Sequence, residues 1–171
     1  MAWEEFVRTP TAAFVLSEGE RRQLGRKIAA VCRSNPFYDV LSLWGCGALD
    51  GGCLMVAEAL RQALNTGEVW GLYGYPLSPP RAATVWQHAV LRLAPNSYVD
   101  GDGISGERAL RRRWLAHEMT IITQLAPLPP MSNWPGLFPD TPFDQSTSVQ
   151  LADLFRRKVL CLLYTSDAAD E

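Results

Sequence analysis

Hydrophobic and polar positions follow two periods along the chain. From Arg21 to Arg33 the apolar residues Leu24, Ile28, Val31 and Cys32 recur at helical spacing. Ahead of them, Ser17-Glu-Gly-Glu20 has the spacing of a capping box, in which a hydroxyl and a carboxylate satisfy first-turn N–H groups reciprocally. The pattern predicts a first amphipathic helix that Asn35-Pro36 stops. A glycine-rich passage, Gly45-Cys-Gly-Ala-Leu-Asp-Gly-Gly-Cys53, then leads into a second helix from Cys53 to about Leu64, with Ala57, Leu60 and Leu64 as its buried stripe.

The period next changes to two. Glu68 to Tyr73 and Val85 to Leu93 read as strands, and the second returns through a turn at Ala94-Pro-Asn-Ser97 to Tyr98-Val-Asp100. Alternation along the second strand puts His88 on one face with Trp86 and Val90, the face expected to be buried. Gly106 to Met119 reads as a further helix, Pro127 to Pro142 as a proline-rich loop, and Ser146 to about Leu160 as a final helix. The expected fold class is α+β, a helix packed on a small antiparallel sheet with additional helices, in one domain over residues 1–160.

Composition narrows the picture further. The chain has 171 residues, of which 47% are hydrophobic and 20% charged, ordinary shares for a globular protein. A chain near that size buries roughly 70% of its unfolded surface, so it needs no disulfides to fold. The start, Met1-Ala-Trp-Glu-Glu-Phe, carries acids where a secretory signal carries bases, and no stretch reaches membrane-spanning length. The expectation is a soluble cytoplasmic protein with no membrane partner. Four irregularly spaced cysteines (Cys32, Cys46, Cys53, Cys161) are expected to stay as thiols in a reducing compartment.

The last residues, 161–171, resemble the in-frame translation of a transposase adapter used in sequencing libraries. They are expected to be a foreign tail replacing the natural C-terminus, which leaves Cys161 without a function. Taking the tail's acids (Asp167, Asp170, Glu171) from the chain's 18 leaves 15 acidic against 16 basic residues. That balance gives no electrostatic reason to expect nucleic acid as a partner.

Cys53 stands immediately after Asp50-Gly-Gly, at the first turn of a helix whose unpaired N–H groups and dipole favour an anion and therefore the thiolate. The same N–H groups can hold an oxyanion. A cysteine at a helix start is commonly just packing, but the preceding glycines, Gly52 above all, let a substrate approach the backbone closely. His88 on an apolar strand face is most simply a satisfied core histidine. What changes that reading is Tyr98-Val-Asp-Gly-Asp-Gly-Ile104, which returns from the turn carrying Asp100 and Asp102, carboxylates of the kind that fix an imidazole tautomer.

The order Gly-Gly-Cys, strand His, strand Asp over Asp50 to Ile104 resembles the papain-like cysteine-hydrolase superfamily, particularly its transglutaminase-like and arylamine N-acetyltransferase branches. Asp50-Gly-Gly-Cys53 resembles the nucleophile turn, Gln87-His-Ala-Val-Leu91 the base strand, and Tyr98-Val-Asp100 the third element. The resemblance implies a papain-like fold in which Cys53 is the nucleophile, His88 the base, and Asp100 or Asp102 the orienting carboxylate. It implies attack on an amide or thioester carbonyl of a peptide, amide or acyl-donor substrate, with no cofactor and no metal. Motif position favours Asp100, whereas a three-residue turn would put Asp102 diagonally nearer His88. Gly47 stands where papain has its oxyanion glutamine, so the Cys53 backbone N–H is the expected donor. Gly52, Tyr73, Trp86 and Gln87 are the candidate substrate-binding residues.

Other readings of the same residues are blander. Cys46, Cys53, His88 and His117 are the types that bind zinc but lack its close ligand pairing, and Asp-Gly-Asp-Gly lacks the remaining ligands of a calcium loop. His117 and its basic neighbours Arg111, Arg112 and Arg113 read as a solvated helix face that could hold an acidic substrate. Trp70, Tyr73, Tyr75 and Trp86 are core aromatics or substrate walls, and the long Tyr75 to Ala83 loop is a candidate lid. The alternative to an enzyme is an inactive papain-like binding or interaction module of the kind mobile elements encode. Neither the substrate nor the oligomeric state is legible in the sequence.

Overall fold

Ser17 opens the first helix as the capping box predicts. Its side chain accepts from the Glu20 N–H at 3.2 Å, while Glu20 Oε2 accepts from the Ser17 N–H at 2.8 Å. The computed structural model describes residues 16–78 and 83–160. The chain start, residues 79–82 of the candidate lid, and the tail with Cys161 lie outside the described residues. Helix α1 spans Glu18–Cys32 and buries Leu24, Ile28, Val31 and Cys32, the expected stripe. Pro36 does not simply end it. A second short helix, α2 (Asn35–Leu41), carries that proline in its first turn, where the missing N–H would be unpaired anyway.

Helix α3 (Cys53–Leu64) starts and stops where the pattern placed it, but its burial is wider than one stripe. Every residue from Cys53 to Leu60 is buried, whereas Leu64 is only partly so. The helix is central: it packs on strand β2 (Val85–Ala94) on one side and on the last α-helix, α6 (Gln145–Phe155), on the other. Glu58 is the one charge in that buried run, and its carboxylate accepts from Arg61 Nε and Nη2, both at 2.8 Å, and from Gln62 Nε2 at 2.9 Å. Those three bonds offset the cost of taking the charge out of water.

The sheet is antiparallel with strand order β4-β3-β2-β1-β5. Strand β1 is Glu68–Pro76, β3 is Ser97–Asp100, β4 is Gly103–Ser105 and β5 is Thr120–Pro127. Helix α4 (Glu107–Glu118) covers one face, where Leu110 and Trp114 pack with Leu72, Val90, Tyr98 and Ile122. Helix α3 covers the other, with α6 packed behind it, and there Val69, Ala89, Leu91 and Val99 join the larger core. Burying each large aliphatic or aromatic side chain there contributes roughly 1.5–3 kcal/mol.

Strands β4 and β5 were not legible as such. Strand β4 has only three residues, and it lies where Gly25 and Gly103 let α1 touch the sheet. A methyl group on Gly25 would lie 2.9 Å from the Ile104 nitrogen, and one on Gly103 2.7 Å from the Gly25 oxygen. Strand β5 follows α4 without a loop, because Met119 takes a left-handed conformation (φ 48°) that turns helix directly into strand. The proline-rich stretch contains a 3-10 turn (Met131–Asn133) and a short helix, α5 (Trp134–Leu137), with Trp134 buried. No described helix is long and apolar enough to cross a membrane.

Candidate active site

The segment before α3 is folded back on itself. The Gly47 N–H donates to the Asp50 carbonyl at 3.0 Å, and the Gly52 N–H donates to the Gly47 carbonyl at 2.9 Å. Gly51 holds φ +85°, in the left-handed region that glycine occupies without strain. At Gly52 a methyl group would lie 2.6 Å from the Gly47 oxygen and 3.3 Å from Cys46 Sγ. The N-cap therefore has no side chain to take up first-turn N–H groups, and the helix start remains disposed toward an anion.

His88 sits beside a β-bulge. It pairs with Leu72, but the next paired residue is Trp86 with Tyr73, so Gln87 is the extra residue. The bulge breaks the alternation expected from the sequence: Trp86 packs with the larger core and lies 4.4 Å from Phe138 between ring centroids. His88 keeps the phase of Val90 and turns toward α4, where its ring lies 5.0 Å from that of Trp114. The pairing of β2 with β3 runs only from Leu91↔Val99 to Ala94↔Ser97. His88 thus lies past the end of that pairing, beside the turn into β4, where Gly101 abuts Ala48 of the glycine-rich loop. The helix carrying Cys53 covers the opposite face of the sheet, yet its sulfur lies near enough to the ring to influence its charge.

His88 Nε2 lies 3.2 Å from Asp100 Oδ2, with the two side chains 1% and 4% exposed. Nδ1, the other ring nitrogen, is buried and makes no well-formed hydrogen bond. Burial, the largest influence on the ring, pushes its pKa down. Hydrogen bonding and charge from Asp100 and from the Cys53 sulfur overcome it and lift the pKa to about 9. Cys53 is therefore close enough to influence the ring. For Asp100, burial alone would raise the pKa. The His88 ring, the Arg113 guanidinium and the Asp102 N–H at 3.0 Å outweigh burial and hold the carboxyl below its ordinary range.

Asp102 stands one step further out. It accepts from Arg33 Nη2 at 3.0 Å and lies 3.4 Å from Arg113 Nη1, while Arg113 Nη2 donates to Asp100 Oδ2. Cys32 is buried and its pKa is pushed up to about 12, first by burial and then by the charge of Asp100. Burial, then the charges of Asp50 and Cys53, raise the Cys46 thiol.

The remaining candidates spread outward. Gln87 Nε2 donates to the carbonyls of Gly74 (3.2 Å) and Val85 (3.4 Å), which ties its carboxamide to the bulge. Tyr73 is half-buried, and burial raises its phenol pKa. A cleft of about 530 Å³ opens beside the Asp100 end of the cluster, lined by Arg33, Leu49, Asp102, Arg113, Trp114, His117 and Glu118. Tyr73, Trp86 and Gln87 do not line it, and neither do the buried Cys53 and His88. Among the described residues no three of His, Cys, Asp and Glu converge as metal ligands, so Cys46, Cys53, His88 and His117 do not assemble a zinc site.

Sequence reasoning missed Trp114 and Arg113. The available signal was Leu110 with Trp114, an apolar pair four residues apart on an otherwise basic helix, which marks the buried face. Arg113 flanks that face and is 21% exposed, so part of the basic cluster is structural rather than solvated. His117 is exposed in the last turn, as expected. Comparison with protein-family models, curated proteins and solved structures finds no match to this chain.

Proposed function

We propose that the chain is a papain-like thiol hydrolase or acyltransferase acting on an amide or thioester carbonyl, with Cys53 as nucleophile, His88 as base and Asp100 as the orienting carboxylate. The observation that supports this most is the pairing of His88 Nε2 with Asp100 at 3.2 Å while Nδ1 stays unpartnered and the Cys53 sulfur couples to the ring. Asp100 fixes the tautomer and steadies the imidazolium, and Nδ1 is left for the proton of the thiol.

Cys53 Sγ attacks the carbonyl carbon, and the oxyanion that forms lies at the N–H groups of the first turn of α3. As the tetrahedral adduct collapses, the bond to the leaving amine or thiol breaks, and His88 gives that group its proton. The product is an acyl thioester on Cys53. Water or an amine then attacks it, His88 takes the attacking group's proton, and the sulfur leaves. No step requires a cofactor, and free thiols fit a cytoplasmic setting.

A specific observation favours a second reading, a binding module built on the same fold. Cys53 is only 5% exposed and His88 1%, and the cleft beside them is lined by other residues. The two readings separate when the full chain is mixed with a panel of activated esters, thioesters and chromogenic amides and its intact mass is read. The enzyme gains one acyl group, mapped to Cys53 and absent from Cys53→Ala. A chain that gains none with any donor, although Cys53 accepts a small alkylating agent, is the binding module.

A further inference from the structure

Arg113 belongs to α4, a helix with no part in the Cys-His-Asp order, yet its guanidinium ends on the oxygen that His88 uses. Nη2 donates to Asp100 Oδ2, the atom 3.2 Å from His88 Nε2, and Nη1 lies 3.4 Å from Asp102 Oδ2. The fork thus spans both carboxylates of the Asp-Gly-Asp turn, a geometry that a planar guanidinium supplies and an ammonium does not. The side chain is 21% exposed and the Asp100 carboxyl 4%, so this interaction is poorly screened. Its neighbour Trp114 holds the other side of the cluster, 5.0 Å from the His88 ring. One helical turn therefore supports both members of the pair.

We infer that Arg113 is a positioning residue for the His88–Asp100 pair: it fixes the Asp100 carboxylate and, by sharing its Oδ2, limits how tightly His88 holds a proton. The inference deepens the hydrolase reading and rests on it. In that chemistry the ring must accept a proton in one step and release it in the next, and an undivided buried carboxylate would favour the charged ring too strongly for release. The second cation on Oδ2 divides the carboxylate's field. The charged and titratable groups around the ring come from every element packed on it. Cys53 comes from α3, Asp100 from β3 and Arg113 from α4. Beyond them lie Asp102 in the turn and Arg33 and Cys32 at the end of α1. Of these, Arg113 is the cation in direct contact with Asp100.

The test is the titration of the His88 ring, followed by NMR of the imidazole carbon-bound protons in the full chain. Arg113→Met should move the midpoint upward by about one pH unit, and Arg113→Lys, which keeps the charge without the fork, by less. Asp102→Asn, which removes Arg113's other partner and leaves Asp100 in place, should move it least. An unchanged or lowered midpoint in Arg113→Met overturns the inference. If Arg113→Met does not fold, Arg113→Gln and Arg113→Lys give the same readout. The titration needs no turnover, so it stands apart from the acylation experiment. An upward shift in a chain that never acylates sinks the hydrolase reading alone, and acylation without the shift sinks only this role of Arg113.

Discussion

His88 Nε2 faces Asp100 Oδ2 at 3.2 Å in a place almost closed to water, whereas Asp102 faces Arg33 and Arg113. The two aspartates, both candidates in the sequence with Asp100 preferred, thus share Arg113 and differ in their second partner, His88 for Asp100 and Arg33 for Asp102. Asp100→Asn should lower turnover by roughly two to four orders of magnitude, because the amide cannot hold the imidazolium or its tautomer. Asp102→Asn should cost less than about tenfold, the usual range for a partly exposed charge one step removed. Steady-state rates on whichever donor acylates Cys53 check the ratio, and equal losses would mean that Asp100 has no special place.

The raised pKa of His88 ties stability to pH. Its folded value of about 9 lies above the ordinary 6.5, so its stabilisation is fully present below pH 6.5 and is lost as pH rises to 9. At about 1.4 kcal/mol per pH unit this amounts to a few kcal/mol. Asp100 runs the opposite way: its lowered pKa gives stability that is present above the ordinary carboxyl range and lost as pH falls through the folded value. Urea unfolding across pH 4 to 9.5 should show the alkaline decline. Cys53→Ala, which removes one of the two groups lifting the ring, should shift that decline to lower pH. A flat alkaline limb would contradict the coupling.

Much of this arrangement was legible in the sequence, and the exceptions have physical reasons. The capping box at Ser17, the Cys53 start of α3, the two long strands and the turn at Asn96 follow local rules, and they appear where the pattern placed them. The face shared by His88 and Trp86 did not survive, because one bulged residue at Gln87 reverses side-chain direction and alternation carries no mark of a bulge. The breadth of α3 burial was hidden for a related reason. A helix enclosed by sheet and helices needs no polar face, and its one charge, Glu58, is satisfied by its own neighbours. Arg113 and Trp114 were out of reach because their partners are tertiary.

Gly52, before α3, and Gly19, in α1, allow a sharper contrast. Gly52→Ala would drive a methyl group to 2.6 Å from a backbone oxygen that cannot swing away, so the turn and the start of α3 must shift. A loss of about 1–3 kcal/mol is expected, together with slower Cys53 chemistry. Gly19, in the first turn of α1, has nothing within 4 Å of the same position, and Gly19→Ala should stabilise by about 0.4–1 kcal/mol. Chemical denaturation of the two variants measures both signs.

Activation of Cys53 by the His88 imidazole is tested by the rate of iodoacetamide labelling at each described cysteine between pH 5.5 and 9, read by peptide mass mapping. Cys53 should react well below pH 8 and ahead of Cys32 and Cys46, and His88→Ala should remove this advantage. Labelling of Cys53 that is no faster than at Cys46, or that is indifferent to His88→Ala, would contradict that activation.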